Sequence, residues 1–273
     1  MTKKKTDPRS SRGQTKKTTP KKKKPVVAFL SLSGCEGCSF AMLDLGGDFF
    51  NALVHHYKLG EHHFLEEMKG KKHYDITFVD GAPLTKENEK ALKKMRERTD
   101  YMVAVGSCAA LGVVPGIKNY VDKKKKAKYV YPKNKKAYNP DIHPISRYVK
   151  VDLVIPGCPI DNKEFLKVFT DVAQGIEPEL SHRPVCYECQ SNGNPCLLQQ
   201  GEPCLGPVIQ GGCNAVCLNS RYYCRGCRGI LEGDTMDDAV KTLNKKLEKM
   251  IGKRALRHIL QIYGIQEDWL NRL

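Results

Sequence analysis

Long apolar runs are missing from this sequence of 273 residues. No stretch approaches the roughly 18 apolar residues that a membrane-spanning helix needs. The N-terminus, MTKKKTDPRSSRG, has no apolar segment of the kind found in secretory signals. These two absences predict a protein without a membrane span that is located in the cytoplasm.

Nucleotide-binding and catalytic motifs are missing as well. The chain contains neither the G-x-G-x-x-G pattern of dinucleotide-binding loops nor the Walker pattern of P-loops. We therefore expect no flavin, no nucleotide and no catalytic residue in this chain. The single tryptophan, Trp269, lies near the C-terminus and is expected to be a packing anchor.

Cysteine, by contrast, is abundant, with twelve residues. A chain of this length can bury a core without covalent cross-links, and disulfides are rare in a reducing compartment. Three pairs have the C-x2-C spacing that presents two sulfurs to one metal centre: Cys35/Cys38, Cys186/Cys189 and Cys224/Cys227. The cysteines therefore indicate metal ligands, and twelve of them suffice for three centres of four.

The net charge of +16 is concentrated in two segments. Residues 1–24 contain nine Lys, two Arg and one Asp, and residues 118–136 contain nine Lys and one Asp, so the rest of the chain is slightly acidic. The first segment cannot form a core and is predicted to be a disordered tail. The second is predicted to be a solvated insertion. We therefore do not expect nucleic-acid binding to be the main function.

Residues 25–178 show alternating strand and helix patterns. Short apolar runs that suit strands buried on both faces alternate with helical patterns. This alternation is typical of an open parallel sheet. We predict an α/β, flavodoxin-like domain here. The predicted strands are Val26–Leu30, Tyr74–Gly81, Tyr101–Gly106 and Val151–Pro156. The predicted helices cover 39–57, a segment that begins near Thr85 as N-cap, and a segment through Phe165, Val168 and Phe169.

Residues 179–273 have a different character. Residues 181–235 are rich in Gly, Pro, Asn and Cys and have no sustained period, so bound clusters are expected to help them fold. A helix is predicted from Asp237 to Ile251, with Gly252 as its end, and a further helix is expected after it. This region is therefore predicted to be an irregular iron–sulfur cluster-binding domain with C-terminal helices.

Four cysteines follow the carboxyl ends of predicted strands. They are Cys35, Cys38, Cys108 and Cys158, and each has a glycine beside it or close by. In a parallel sheet these strand ends share one edge, where ligands bind, so the topology should bring the four thiols together. Buried structural cysteines would not explain all four positions, and we expect this set to bind an iron–sulfur cluster.

The remaining eight cysteines suffice for two further centres. We divide them in sequence order, the first four binding one cluster and the last four another. Tetrahedral zinc is the main competitor, because C-x2-C pairs in loops also suit zinc. The intervals between these cysteines do not, however, match the usual two-pair zinc ribbon, and iron–sulfur clusters fit better with the first set.

Several motifs carry a resemblance to a known family. They are GCEGCS at 34–39, GSCAALG at 106–112, PGCP at 156–159, CYECQSNGNPCLLQQGEPCLGPVIQGGCNAVC at 186–217 and CRGCRG at 224–229. With these motifs, residues 25 to about 235 resemble the small, electron-transferring subunit of cytoplasmic [NiFe] hydrogenases, most closely the F420-non-reducing and sulfhydrogenase types.

The resemblance implies three [4Fe-4S] clusters, each bound by four cysteines. It also implies a separate large subunit that holds the Ni–Fe centre and splits hydrogen, and a further electron-accepting subunit of flavin, ferredoxin-like or heterodisulfide-reductase type. By this resemblance the proximal set is Cys35, Cys38, Cys108 and Cys158, the distal set is Cys186, Cys189, Cys196 and Cys204, and the medial set is Cys213, Cys217, Cys224 and Cys227.

The sequence departs from the respiratory members of this family. Those are expected to use histidine at one distal position and to lack one medial thiolate, where this chain has Cys186 and Cys217. Thiolate ligands add negative charge, which implies lower potentials. The chain also lacks a twin-arginine export signal, and its two basic segments lie outside the family pattern.

Two alternatives remain. A complex-I-like cluster subunit shares the first domain but is expected to have adjacent cysteines in its first motif and a single cluster. A zinc-stabilised basic nucleic-acid-binding module would use the charge, but it would leave the cysteines at the strand ends unexplained.

Overall fold

A computed structural model of the chain describes residues 23–62, 71–122 and 140–273. The predicted tail at 1–24 lies outside the described residues except for its last two positions. The predicted insertion at 118–136 lies outside them from residue 123 onward. Within the described ranges, no helix combines the length and apolar character needed to cross a membrane.

Five parallel strands form one sheet in the order β2-β1-β3-β4-β5. This is the flavodoxin-like strand order, so the predicted α/β fold class is confirmed. The edge strand β2 was not predicted, because KLGEH has no apolar run. The strands are β1 Val26–Ser31, β2 Lys58–His62, β3 Tyr74–Asp80, β4 Thr99–Val105 and β5 Leu153–Ile155.

Helices cover both faces of the sheet and form much of the C-terminal region. They are α1 Gly37–Asp44, α2 Gly47–His56, α3 Lys86–Glu97, α4 Gly106–Leu111, α5 Val113–Gly116, α6 Asn162–Gln174, α7 Val185–Ser191, α8 Val216–Asn219, α9 Met236–Ile262 and α10 Gln266–Asn271. Short 3-10 turns occur at Ile117–Tyr120, Ile145–Arg147 and Gly206–Val208.

Glycines interrupt two helical segments. The single helix predicted over 39–57 is two helices, α1 and α2, because Gly46 has a φ of 53° and interrupts the helical backbone. Gly252 was predicted to end the C-terminal helix, and its backbone is non-helical, with a φ of 80°. The helix therefore breaks there as predicted, and the second part of α9 follows up to Ile262.

The two faces of the sheet are packed differently. Five phenylalanines gather on one face, with Phe29 and Phe78 stacked at 5.4 Å between ring centroids. On the other face, small and aliphatic side chains such as Ala28 and Val79 pack against Leu92 and Met95 of α3. Successive strand residues point to opposite faces, so both helical layers are anchored by the same strands. The clustered phenylalanines are Phe29, Phe49, Phe78, Phe165 and Phe169.

The C-terminal region shares a core with its long helix. Leu205, Val208 and Ile209 from the cysteine-rich segment pack in one cluster with Leu247 of α9. Trp269 is fully buried in the same cluster, and its Nε1 donates a hydrogen bond to Asn244 Oδ1 at 3.0 Å. The irregular segment therefore buries apolar side chains of its own, which was not expected. The division between 25–178 and 179–273 stays a prediction.

The start of α3 provides a test of the local structure. Thr85 Oγ1 accepts a hydrogen bond from the Asn88 N–H at 3.2 Å, and Asn88 Oδ1 accepts one from the Thr85 N–H at 3.3 Å. We expect Thr85→Ala to destabilise the first turn of α3 by about 1 kcal/mol, because the cap oxygen is lost. Hydrogen exchange of peptides from residues 86–97 should then be roughly fivefold faster, whereas Thr85→Ser should exchange like the parent. Unchanged exchange in Thr85→Ala would show that the cap does not stabilise this helix.

Candidate metal centres

The proximal set of cysteines is assembled at the carboxyl edge of the sheet. Cys35 follows β1, Cys38 lies in α1, Cys108 lies in α4 directly after β4, and Cys158 follows β5. All four line one small cavity of about 70 Å³. The parallel strands thus bring together four thiols that are up to 123 positions apart in the sequence.

Glycines beside these cysteines let the backbone approach closely. Gly106 has a φ of 78°, and a Cβ at this position would overlap Cys38 Sγ. Gly157 has a φ of 147°, and its carbonyl accepts a hydrogen bond from the Ser107 N–H at 2.8 Å. Only glycine adopts these conformations without strain, so the two residues hold the loops of the proximal set against each other.

The medial set lines a second and much larger cavity of about 790 Å³. This cavity also contains Cys158 of the proximal set. In addition, the Ser107 hydroxyl donates a hydrogen bond to the backbone carbonyl of Cys227. The proximal and medial sets are therefore direct neighbours. They share the lining of one cavity and are joined by the hydrogen bond between Ser107 and Cys227.

The distal set contacts the medial set. A Cβ on Gly206 would lie 3.3 Å from Cys186 Sγ and 3.4 Å from Cys204 Sγ, so this glycine lets two thiols of the set come near each other. The Cys224 N–H donates to Cys204 Sγ at 3.4 Å. The distal set thus contacts the medial set through Cys204 and Cys224.

Burial makes several of these thiols weaker acids than an exposed cysteine. It raises the pKa of Cys108 to about 11 and that of Cys227 to about 12. It also raises the pKa of Cys186 to about 12, and the charges of Cys204, Cys189 and Cys196 add to this effect. Deprotonating such crowded thiols requires a cation nearby. The three sets are therefore suited to binding metal as thiolates, with release of protons.

The spacing of the thiols argues against mononuclear zinc. With Zn–S bonds of about 2.3 Å, tetrahedral geometry requires sulfurs roughly 3.8 Å apart. No three of the twelve cysteine sulfurs, all of which are in the described ranges, lie within 4.8 Å of one another. A four-iron cluster binds each cysteine to a different iron and so needs a wider arrangement. The described cysteine sulfurs therefore do not form a closed tetrahedral zinc site.

Three charged residues near the cysteines were not predicted. Asp80 at the end of β3 lines the proximal cavity, and burial raises its pKa to about 6. Glu164 forms a buried ion pair with Arg228 at 2.8 Å. Two of them had a sequence signal that could have indicated them. Asp80 is an acidic residue at the end of a largely apolar strand, and Arg228 lies inside the motif CRGCRG.

Comparison with known proteins defines the class of this chain. A family model described as NADH ubiquinone oxidoreductase, 20 Kd subunit, matches residues 35–172. The sulfhydrogenase 2 subunit delta of Pyrococcus furiosus is 35% identical over 87% of this chain and 98% of its own length. The iron-sulfur subunit of the F420-non-reducing hydrogenase of Archaeoglobus profundus is 29% identical over 74% of this chain and 81% of its own length.

Solved structures show the same fold. An NAD+-reducing [NiFe]-hydrogenase chain has a TM-score of 0.51 and 27% identity and covers 57% of this chain and 95% of that chain. A chain of the actinobacterial-type NiFe-hydrogenase from Ralstonia eutropha H16 has a TM-score of 0.58 and covers 96% of this chain and 95% of that chain. With 14% identity, the latter likeness shows the fold alone.

The chain belongs to the family of NADH ubiquinone oxidoreductase 20 Kd subunits. Within this family it is a hydrogenase subunit, because the two sequence relatives above match it along most of their length and are hydrogenase subunits. The predicted resemblance is therefore confirmed. The family model spans only the proximal set, whereas the Pyrococcus furiosus relative matches 87% of the chain.

Gly106 provides a test of the proximal set. We expect Gly106→Ala to displace Cys38 Sγ and to lower the metal content of anaerobically purified protein by about one third, since one of three equal sets loses its geometry. The measurement is iron per chain. Gly252→Ala is the matched control for backbone strain, because Gly252 has a φ of 80° and a Cβ there would meet nothing within 4 Å. Equal metal loss in both variants would contradict a specific effect at Cys38.

Proposed function

We propose that this chain is the electron-transfer small subunit of a cytoplasmic [NiFe] hydrogenase and binds three [4Fe-4S] clusters. Electrons pass between the Ni–Fe site of a separate large subunit and an external acceptor. The observation that carries this proposal is the order of the three thiol sets, with the medial set in contact with the other two. An unbroken series of sets is what conduction through the chain requires.

Each set has a defined part in this proposal. The clusters, when bound, would each accept and donate one electron. Cys35, Cys38, Cys108 and Cys158 would hold the proximal cluster, Cys213, Cys217, Cys224 and Cys227 the medial one, and Cys186, Cys189, Cys196 and Cys204 the distal one. Cys38 and Cys108 are buried, so the proximal site is shielded from water on that side.

The ends of the series suggest where the partners bind. The proximal set reaches the surface at Cys35, which is exposed, and the exposed Phe40 lies close by in sequence. We place the large subunit on this side. The distal set reaches the surface at the exposed Cys196. We place the acceptor there, a subunit of flavin, ferredoxin-like or heterodisulfide-reductase type. Because hydrogen is split on the large subunit, we assign no catalytic residue to this chain.

The first experiment is an analysis of iron, sulfide and zinc in anaerobically purified protein, together with the identity of the subunits that co-purify. We expect about twelve irons and twelve sulfides per chain and a nickel-containing partner. Zinc in place of iron and sulfide would overturn the proposal. A count of about four irons with no nickel partner would instead favour the complex-I-like alternative.

Cys217 provides a test of the medial assignment. We expect Cys217→Ala to convert one four-iron cluster into a three-iron cluster, because one iron loses its only protein ligand. The oxidised variant should show an EPR signal that the parent lacks and should contain about one iron less per chain. Ser220→Ala, in the same exposed turn, is the control and should match the parent. No new signal together with an unchanged iron content in Cys217→Ala would exclude Cys217 as a ligand.

A further inference from the structure

A buried ion pair lies between the sheet and the medial set. Arg228 directly follows Cys227, and its side chain is 1% exposed. Its Nη2 donates to Glu164 Oε1 at 2.8 Å, and its Nη1 donates to the Pro156 carbonyl at 2.6 Å. Pro156 is two residues before Cys158. The guanidinium is therefore held between cysteines of the proximal and medial sets.

Arg228 also borders the space that the four medial cysteines enclose. It lines the same cavity of about 790 Å³. The buried Nε of Arg228 has no hydrogen-bond partner among the described residues. A buried N–H without a partner is costly, so an acceptor is expected there. The sulfur atoms of a bound cluster are acceptors of this kind.

The loop that carries Cys213 is shaped around this ion pair. Gly212 has a φ of 107°, and a Cβ at this position would overlap both Glu164 Oε1 and Arg228 Nη2. The peptide preceding a medial ligand thus packs directly on the two charged groups. Glu188 of α7 contacts the same loop, where it accepts hydrogen bonds from the N–H groups of Gly212 and Ala215. It adds a fixed negative charge near Cys213.

We propose that Arg228 sets the reduction potential of the medial cluster and that Glu164 opposes it. This inference rests on the proposed function, since it requires a cluster at the medial set. A positive charge in a poorly screened interior stabilises the reduced, more negative form of a cluster and so raises its potential. A hydrogen bond from Nε to a cluster sulfur would act in the same direction. Glu164 lowers the potential by compensating part of the arginine charge.

A purely structural ion pair would behave differently. If Arg228 and Glu164 only join the sheet to the cysteine-rich region, removing either partner should destabilise the protein in the same way. Neither change would then move a potential in a direction set by its charge. Substitutions of Arg228 and Glu164 distinguish a role in setting the potential from a purely structural role. Neutralising Arg228 removes a positive charge, whereas neutralising Glu164 removes a negative one.

The experiment is a redox titration followed by EPR, on anaerobically purified protein with its co-purifying subunits. Glu164→Gln keeps the shape of the side chain and removes the negative charge, Arg228→Met removes the positive charge, and Arg228→Lys keeps the charge but loses the Nε–H. Iron content is measured for each. We expect one reduction step to move most, to higher potential in Glu164→Gln and to lower potential in Arg228→Met, with the other steps moving less in the same direction. Arg228→Lys should lie between Arg228→Met and the parent.

The inference is overturned if no step moves, or if the same step moves in one direction in both variants, while iron content is retained. If Arg228→Met loses iron, the inference is judged from Glu164→Gln and Arg228→Lys instead. An upward shift of the potential in Glu164→Gln then supports the inference. A titration of Glu164→Gln that matches the parent overturns it. A parent protein without iron or sulfide would instead overturn the proposed function, a result that the iron analysis distinguishes from a failure of this inference alone.

Discussion

The parallel direction of the sheet is the constraint on which the other features depend. Because all five strands run the same way, β1, β4 and β5 deliver their cysteines to one edge, and the proximal set forms without any sequence proximity among its three loops. The loops approach closely enough only because Gly106 and Gly157 adopt positive φ. The same edge then presents Pro156 and Ser107 to the cysteine-rich region, so that the medial set is built directly against the proximal one.

The cysteine-rich region combines two sources of order. Its apolar side chains pack against α9 and Trp269, which gives it a core that its composition does not suggest. Between these contacts the backbone is irregular, with positive φ at Asn214, Ala215 and Arg221. The hydrogen bonds of regular helices and strands do not hold this irregular backbone in place. Metal ligation by neighbouring cysteines would stabilise its conformation. Packing therefore positions the region as a whole, and bound clusters would stabilise its local loops.

Periodicity and strand-end position made much of the molecule predictable. The apolar runs of β1, β3 and β4 and the capping pattern at Thr85 correspond to real elements, because each signal is local. Strand β2 was missed because an edge strand need not be apolar. The break at Gly46 was missed because a helical pattern on both sides conceals it. The pairing of Arg228 with Glu164, 64 positions away, has no local signal at all.

The placement of this ion pair suits the electron relay that we propose for this chain. Closely packed thiolate-bound clusters concentrate negative charge, and each further electron is harder to add in a poorly screened interior. A compensating cation must lie between the sets to be effective, yet it must be paired to be buried at acceptable cost. Arg228, between Cys158 and the medial set and paired with a glutamate on the sheet side, meets both requirements. The loop at Gly212 could accommodate this pair only without a side chain, which links the ion pair to the conformation of the backbone that carries Cys213.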